Sequence, residues 1–177
     1  MSRRNYWLLP DTHFGHTKLV REGHRPQSYV EKILVQASRV VREGDVLIHL
    51  GDVCIGDDAF WSSEMNSVLP GVKRWLIRGN HDNKSMGWYL DHGWDFVADA
   101  VIMDVFGARV ALSHVPMATN STGYDINIHG HHHNTNHHPE DGEDPRRVCL
   151  FLEHEYAPFN MEKVVTAKRL LNQAQGE

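Results

Sequence analysis

Five short islands rich in metal-binding residue types are spread along this 177-residue chain: Asp11-Thr12-His13, Gly51-Asp52, Gly79-Asn80-His81-Asp82, Ser113-His114 and Gly130-His131-His132-His133. Nearly every island follows an apolar run of strand length, over 6–9, 45–50, 72–77, 108–113 and 125–129. A chain that sets a carboxylate, a carboxamide or an imidazole just past successive strands assembles one site from distant sequence. In open α/β sheets the loops beyond the carboxyl ends of the strands converge, and ligands gather there. The islands therefore demand a sheet whose strand ends meet, and their residue types suit two divalent cations.

The rest of the pattern agrees. Tyr6 to Leu9 reads as a buried strand stopped at Pro10. Ser28 and Glu31 form a capping-box pair ahead of Val30, Ile33, Leu34, Ala37, Val40 and Val41 at helical spacing, with Gly44 as the stop. A helix is expected over 57–69, capped by Asp57 or Asp58, then a turn at Pro70-Gly71, a strand over 72–77 and a helix over 84–91. The segments 96–105 and 108–113 read as two strands joined by a tight turn at Phe106-Gly107. After a loop over 116–124 come a strand at 125–129, an acidic loop reaching Asp144, a strand at 147–153 and a last helix over 160–173. Strands alternate with helices in the first half and form hairpins in the second, which predicts a mixed α/β layered domain spanning 1–177.

Composition narrows the function classes. A formal net charge of −5 argues against long nucleic acid held by electrostatics alone, and no basic-aromatic stripe marks a dedicated nucleic-acid surface. Cys54 and Cys149 are the only cysteines and suggest no disulfide framework. No apolar stretch approaches a membrane span, and the run at 6–9 is too short for a signal peptide, so a soluble cytoplasmic protein is expected. Six of the 14 histidines fall between His129 and His138; the run is internal and interrupted by Asn and Thr, unlike a purification tag.

Taken in order, D-x-H, G-D, G-N-H-D, H and G-H-x-H from Asp11 to His133 resemble the signature of the calcineurin-like metallophosphoesterase superfamily. Asp11-Thr12-His13-Phe14-Gly15-His16 and the late Tyr156-Ala157-Pro158 look like its small bacterial and phage phosphoesterases. The resemblance implies an α/β fold of layered αββα type, a sandwich of mixed β-sheets flanked by helices. It implies two divalent ions (Mn, Fe, Ni or Zn), one held by Asp11, His13, His133 and a shared Asp52, the other by Asp52, Asn80, His114 and His131. Imidazole and oxygen donors without thiolate suit such ions. It further implies hydrolysis of phosphodiester or phosphomonoester bonds of small molecules or nucleotides by a metal-bridging hydroxide, in an enzyme of the phosphoric ester hydrolase class. His81 would act on the leaving oxygen, and Asp82 would orient His81 and keep its proton available. At the position three residues after Asp52, where the family often has an acid, this chain has Ile55, and Pro10 stands where many relatives have Ser.

Other residues have weaker claims. His16, Arg25 and Arg78 are candidates to contact substrate phosphate, each set against an ordinary packing or ion-pairing role. His49, Trp61 and Trp75 read as core, and His137, His138, Asp141 and Glu143 as loop. Without room for a cap domain, the loops 14–27, 55–58, 116–124 and 134–146 would set preference. Two alternatives stand beside the phosphoesterase: a metal-binding scaffold of the same fold without chemistry, and a nuclease acting on nucleic-acid ends.

Overall fold

Four parallel strands carry the first half of the chain: β1 (Tyr6–Leu9), β2 (Val46–His49), β3 (Lys73–Ile77) and β4 (Phe96–Ala98). The computed structural model describes residues 4–133 and 144–175. The helices between these strands are α1 (Thr17–Arg21), α2 (Tyr29–Val40), α3 (Asp58–Val68) and α4 (Met86–Asp91). The second half adds β5 (Ala100–Val105), β6 (Ala108–Ser113), β7 (Ile126–His129), β8 (Arg147–Cys149), a 3₁₀ turn at Leu152–His154, β9 (Phe159–Asn160) and α5 (Met161–Gln175).

Two mixed sheets result. One has the order β4-β3-β2-β1-β9, with β9 antiparallel to β1; the other has the order β5-β6-β7-β8, antiparallel only at β5–β6. Side chains alternate across each strand, so Leu8, Val46, Ile48 and Ile77 meet Val110, Leu112, Ile126 and Ile128 between the sheets. Their neighbours Leu9, Leu47 and Leu76 face the other way, packing with Ile33 and Ala37 of α2, Met65 of α3 and Tyr89 of α4. Each such side chain contributes about 1.5–3 kcal/mol when fully buried, so a one-residue slip that exchanged the two faces is strongly disfavoured. The architecture is thus two mixed sheets flanked by helices, as the motif order led us to expect. α5 contacts β1, β6 and β9, inserting Met161 and Val165 into the inter-sheet core.

Because β1, β2 and β3 run parallel, the segments after their carboxyl ends, which hold Asp11, Asp52 and Asn80, share one edge. β6 and β7 bring His114 and His131 to it from the other sheet. The hairpin at Phe106-Gly107 is formed, with φ of 54° and 73° at the two turn residues, which suit the right-handed twist of the flanking strands.

Several local expectations are corrected. The run 96–105 is two strands, one in each sheet: β4 pairs with β3, and β5 pairs with β6. Ser28 makes no side-chain cap bond; its backbone (φ −90°, ψ 13°) is already turning, with the Tyr29 amide donating to the Pro26 carbonyl. Asp57, by contrast, does cap α3, accepting from the Phe60 amide. The strand expected over 147–153 ends at Cys149 and gives way to the 3₁₀ turn, and the loop over 14–27 contains α1. His137, His138, Asp141 and Glu143 lie outside the described residues. No helix among the described residues is long and apolar enough to cross a membrane.

Candidate metal centre

Backbone strain marks the site first. Among the described residues, seven that are not glycine have positive φ, and five of them are ligand candidates: Asp11 (46°), His13 (44°), Asp52 (56°), His131 (71°) and His133 (46°). Left-handed backbone in a non-glycine residue is unfavourable and persists where the surroundings over-determine it, which happens most at functional sites. Here it aims side chains from three loops at one point. The glycines of the islands permit the crowding. A Cβ on Gly79 would lie 2.2 Å from Asp52 Oδ1, and one on Gly130 would lie 2.3 Å from Asp11 Oδ2.

Donor atoms converge in three overlapping groups, each lying within 4.8 Å: Asp11, His13 and His133; Asp52, His114 and His131; and His13, Asp52 and His81. His13 Nε2 is 3.1 Å from His133 Nε2 and 3.6 Å from Asp52 Oδ2. His114 Nε2 is 3.1 Å from His131 Nδ1, 3.0 Å from Asn80 Oδ1 and 3.4 Å from Asp52 Oδ2. Asp52 therefore stands between the two sets. His81 is exposed on the rim, with Nε2 4.0 Å from Asp52 Oδ2.

The protonation chemistry fits a cation. The His114 Nδ1–H donates to the Leu50 carbonyl at 2.8 Å, so Nε2 faces the acceptors Asn80 Oδ1 and Asp52 Oδ2, an arrangement that calls for a proton or a cation between them. Burial presses the His13 imidazole down to about 3, helped by the His133 and Arg25 charges, and burial also lowers His131. Both rings are thus neutral donors. Burial would raise Asp52, but the hydrogen bond and charge of His114 outweigh it and hold the carboxylate at about 2. Burial lowers His114, yet Asp52 and Asp11 raise it further, so the cluster draws positive charge inward. Burial pushes Asp11 up to about 7, the opposite of what a bound cation would do. Two nitrogens on one ion at about 2.0–2.1 Å, at ordinary coordination angles, stand about 3.0–3.4 Å apart, and both imidazole pairs match that spacing. Asp11, His13, His133 and Asp52 could hold one ion, and Asp52, Asn80, His114 and His131 a second.

Around this centre the structure reassigns several residues. Asp82 does not reach the His81 ring: its two oxygens accept from the backbone amides of Asp52 (2.8 Å), Val53 (3.0 Å) and Gly79 (2.7 Å), fastening the second and third islands together. Arg25 is not a free phosphate ligand. It is 2% exposed and paired with Glu153 (2.7 and 3.0 Å), and it also donates to the Thr12 carbonyl at 2.9 Å. Arg78 is paired with Asp99 at 2.6 Å and borders a cleft of about 340 Å³ beside Asn80 and His114, walled by Ala100, Val115, Pro116 and Met117. The His16 ring stands 5.6 Å from that of His13, at the margin of the cluster. His49 is fully buried and bonded to Thr12 Oγ1 and the Gly51 amide, a core histidine as its strand position suggested. Trp61 and Trp75 are half-buried, packed on the two core clusters.

Sequence reasoning missed Glu153 and Tyr29. Glu153 Oε1 is 3.4 Å from His133 Nδ1, and the Tyr29 hydroxyl donates to the His13 carbonyl at 2.5 Å. Burial would raise the Glu153 carboxyl, but His133 and Arg25 hold it down at about 2. The one available signal was an acidic residue directly after the apolar run Val148 to Leu152.

An α/β protein with two face-to-face sheets and a histidine-carboxylate cluster at their common edge is thereby defined. The chain belongs to the family of the uncharacterized protein MJ1445 of Methanocaldococcus jannaschii, to which it is 30% identical over 175 residues, covering 93% of this chain and 92% of that one. It is also similar to the crystal structure of the protein of unknown function AQ665 from Aquifex aeolicus, with a TM-score of 0.71 and 24% identity, covering 93% of this chain and all of that one. A partial likeness, with a TM-score of 0.49 and 24% identity, extends to the nuclease MPE of Pseudomonas putida over 73% of this chain and 62% of that one. No family model matches the chain.

Proposed function

We propose that the protein is a binuclear metal-dependent phosphoesterase that hydrolyses phosphodiester or phosphomonoester bonds of small molecules or nucleotides. The observation that carries this reading is the convergence of Asp11, His13 and His133 with Asp52, His114 and His131 into two adjacent donor groups, joined through Asp52. The five motifs in family order support it from the sequence. Two bound cations would supply charge neutralisation at the phosphoryl oxygens and a nucleophile at neutral pH.

The chain's own residues would do the rest. Asp52, reached by the His81 amide at 2.9 Å through Oδ1, keeps Oδ2 toward the histidines and so links both donor groups. His81, 43% exposed at the side chain, is open to a substrate above the centre and would deliver a proton from its ring to the departing oxygen. Positioned acids of this kind contribute about 10²–10⁴-fold. Asp82 acts one step back, holding the loops that carry Asp52 and Asn80 in register. The cleft beside Asn80 and His114 has the scale of a small phosphorylated compound rather than a long polymer groove.

The test is hydrolysis of paired chromogenic mono- and diester phosphates by protein stripped of metal, then resupplied with Mn²⁺, Ni²⁺, Zn²⁺ or Mg²⁺. Turnover restored by metal and lost by about 10³-fold or more in Asp52→Ala supports the reading. Two ions bound per chain with no turnover on any ester, natural nucleotides included, would instead favour the scaffold.

A further inference from the structure

His133 has contested surroundings. Its Nδ1 lies 3.4 Å from Glu153 Oε1 and 3.3 Å from the Arg25 guanidinium, while its Nε2 lies 3.1 Å from His13 Nε2. The two neighbours of Nδ1 ask for opposite tautomers. A guanidinium only donates, so bonding to it would place the ring proton on Nε2 and remove that atom from metal binding. A carboxylate only accepts, so bonding to it keeps the proton on Nδ1 and leaves the Nε2 lone pair facing Asp11 and His13. Glu153 also occupies Arg25, taking both its Nε–H and an Nη2–H through Oε1. The remaining Arg25 Nη1 donates to the carbonyl of Thr12, in the loop between Asp11 and His13. Arg25 is 2% exposed and the Glu153 side chain 12%, so neither charge is free to be neutralised by solvent.

We propose that Glu153, from the 3₁₀ turn near the carboxyl terminus, is a positioning residue that, through Arg25 and His133, makes the Asp11–His13–His133 group competent to hold its ion. The Asp52–His114–His131 group does not depend on it, because the Leu50 carbonyl orients His114 there. The inference rests on the proposal that the cluster holds metal. Removing Glu153 would then weaken one ion and spare the other. Loss of such an outer partner commonly costs about 10–100-fold in metal affinity.

The experiment is a Co²⁺ titration of the metal-free full-length protein, read by visible absorption and by ions counted per chain. Wild type should take up two ions. Glu153→Gln should keep one at wild-type affinity and bind the other about 10–100-fold more weakly. Its one-ion spectrum should match that of His133→Ala and not that of His131→Ala. In a His133→Ala background, Glu153→Gln should leave the remaining ion unchanged; weakening of that ion would point to a general structural effect and overturn the proposal. If Glu153→Gln fails to fold with Arg25 unpaired, the double variant Arg25→Leu, Glu153→Leu leaves neither charge alone and should lose the same ion. Two ions bound by these variants as tightly as by wild type would overturn the inference alone. A wild type that takes up none would overturn the metal reading and the inference with it.

Discussion

In the Asp11 half of the centre, the ligand loops are fastened by side chains that belong to none of the five islands, whereas in the Asp52 half the partners are backbone groups of the island loops themselves. Arg25, Tyr29 and Glu153 hold the first-island loop and His133. His114 leans on the Leu50 carbonyl, and Asp82 gathers three backbone amides to set Asp52 beside Asn80. The contrast has a physical origin. β2 and β3 are parallel neighbours, so their carboxyl-end loops are adjacent by construction and backbone bonds suffice. His133, at the far end of the loop beyond β7, is met at Nδ1 by the side chains of Glu153 and Arg25 instead.

Asp82→Ala should show the largest effect on stability, because it strands two buried amides and a third that is part-buried. A loss of roughly 3–6 kcal/mol is expected in urea unfolding of the metal-free protein. A loss below 1 kcal/mol would break the claim that this half is fastened by Asp82.

The halves should also differ in pH response once metal is removed. The Asp11 carboxyl sits at about 7 in the fold against an ordinary 3.8, so the folded chain keeps a proton that the unfolded chain releases. Its contribution to stability is therefore present at low pH and declines as pH rises through that window. Asp11→Asn should make the metal-free protein more stable at pH 8 by on the order of a few kcal/mol, with the gain vanishing toward pH 4, while metal uptake falls. No gain at pH 8 would show that Asp11 is not held in a desolvated pocket.

Smallest, and most selective, are the glycines. Gly130→Ala presses on Asp11 and Gly79→Ala on Asp52, each by contacts near 2.2–2.3 Å. Each should cost about 1–3 kcal/mol; Gly130→Ala should weaken metal uptake mainly in the Asp11 half, and Gly79→Ala, which presses on the shared Asp52, in both. Equal loss of both ions in both variants would mean that the halves are not separable.

Much of this was legible from residues. The strand runs and the hairpin at Phe106-Gly107 carried their own periodicity and turn chemistry, and the islands marked where donors leave the strands. Other features left no local trace. Nothing in Phe96 to Val105 shows that the chain leaves one sheet and enters the other at Asp99, since both pieces are apolar and extended. The pair Ser28 and Glu31 reads as a capping box, but the turn at Pro26 overrides it. Arg25 read as a candidate for substrate because an arginine near a cleft has no visible partner until Glu153, 128 positions later, is folded against it.

Periodicity and residue chemistry are local properties, and they were enough to set the alternation of strands and helices, the donor types and the positions where those donors had to emerge. Which donors stand within reach of one another, what Asp82 grips and how His133 is turned emerge only when distant segments pack together. Those are matters of distances of a few ångströms between segments far apart in the chain, and they exist only once both sheets are packed.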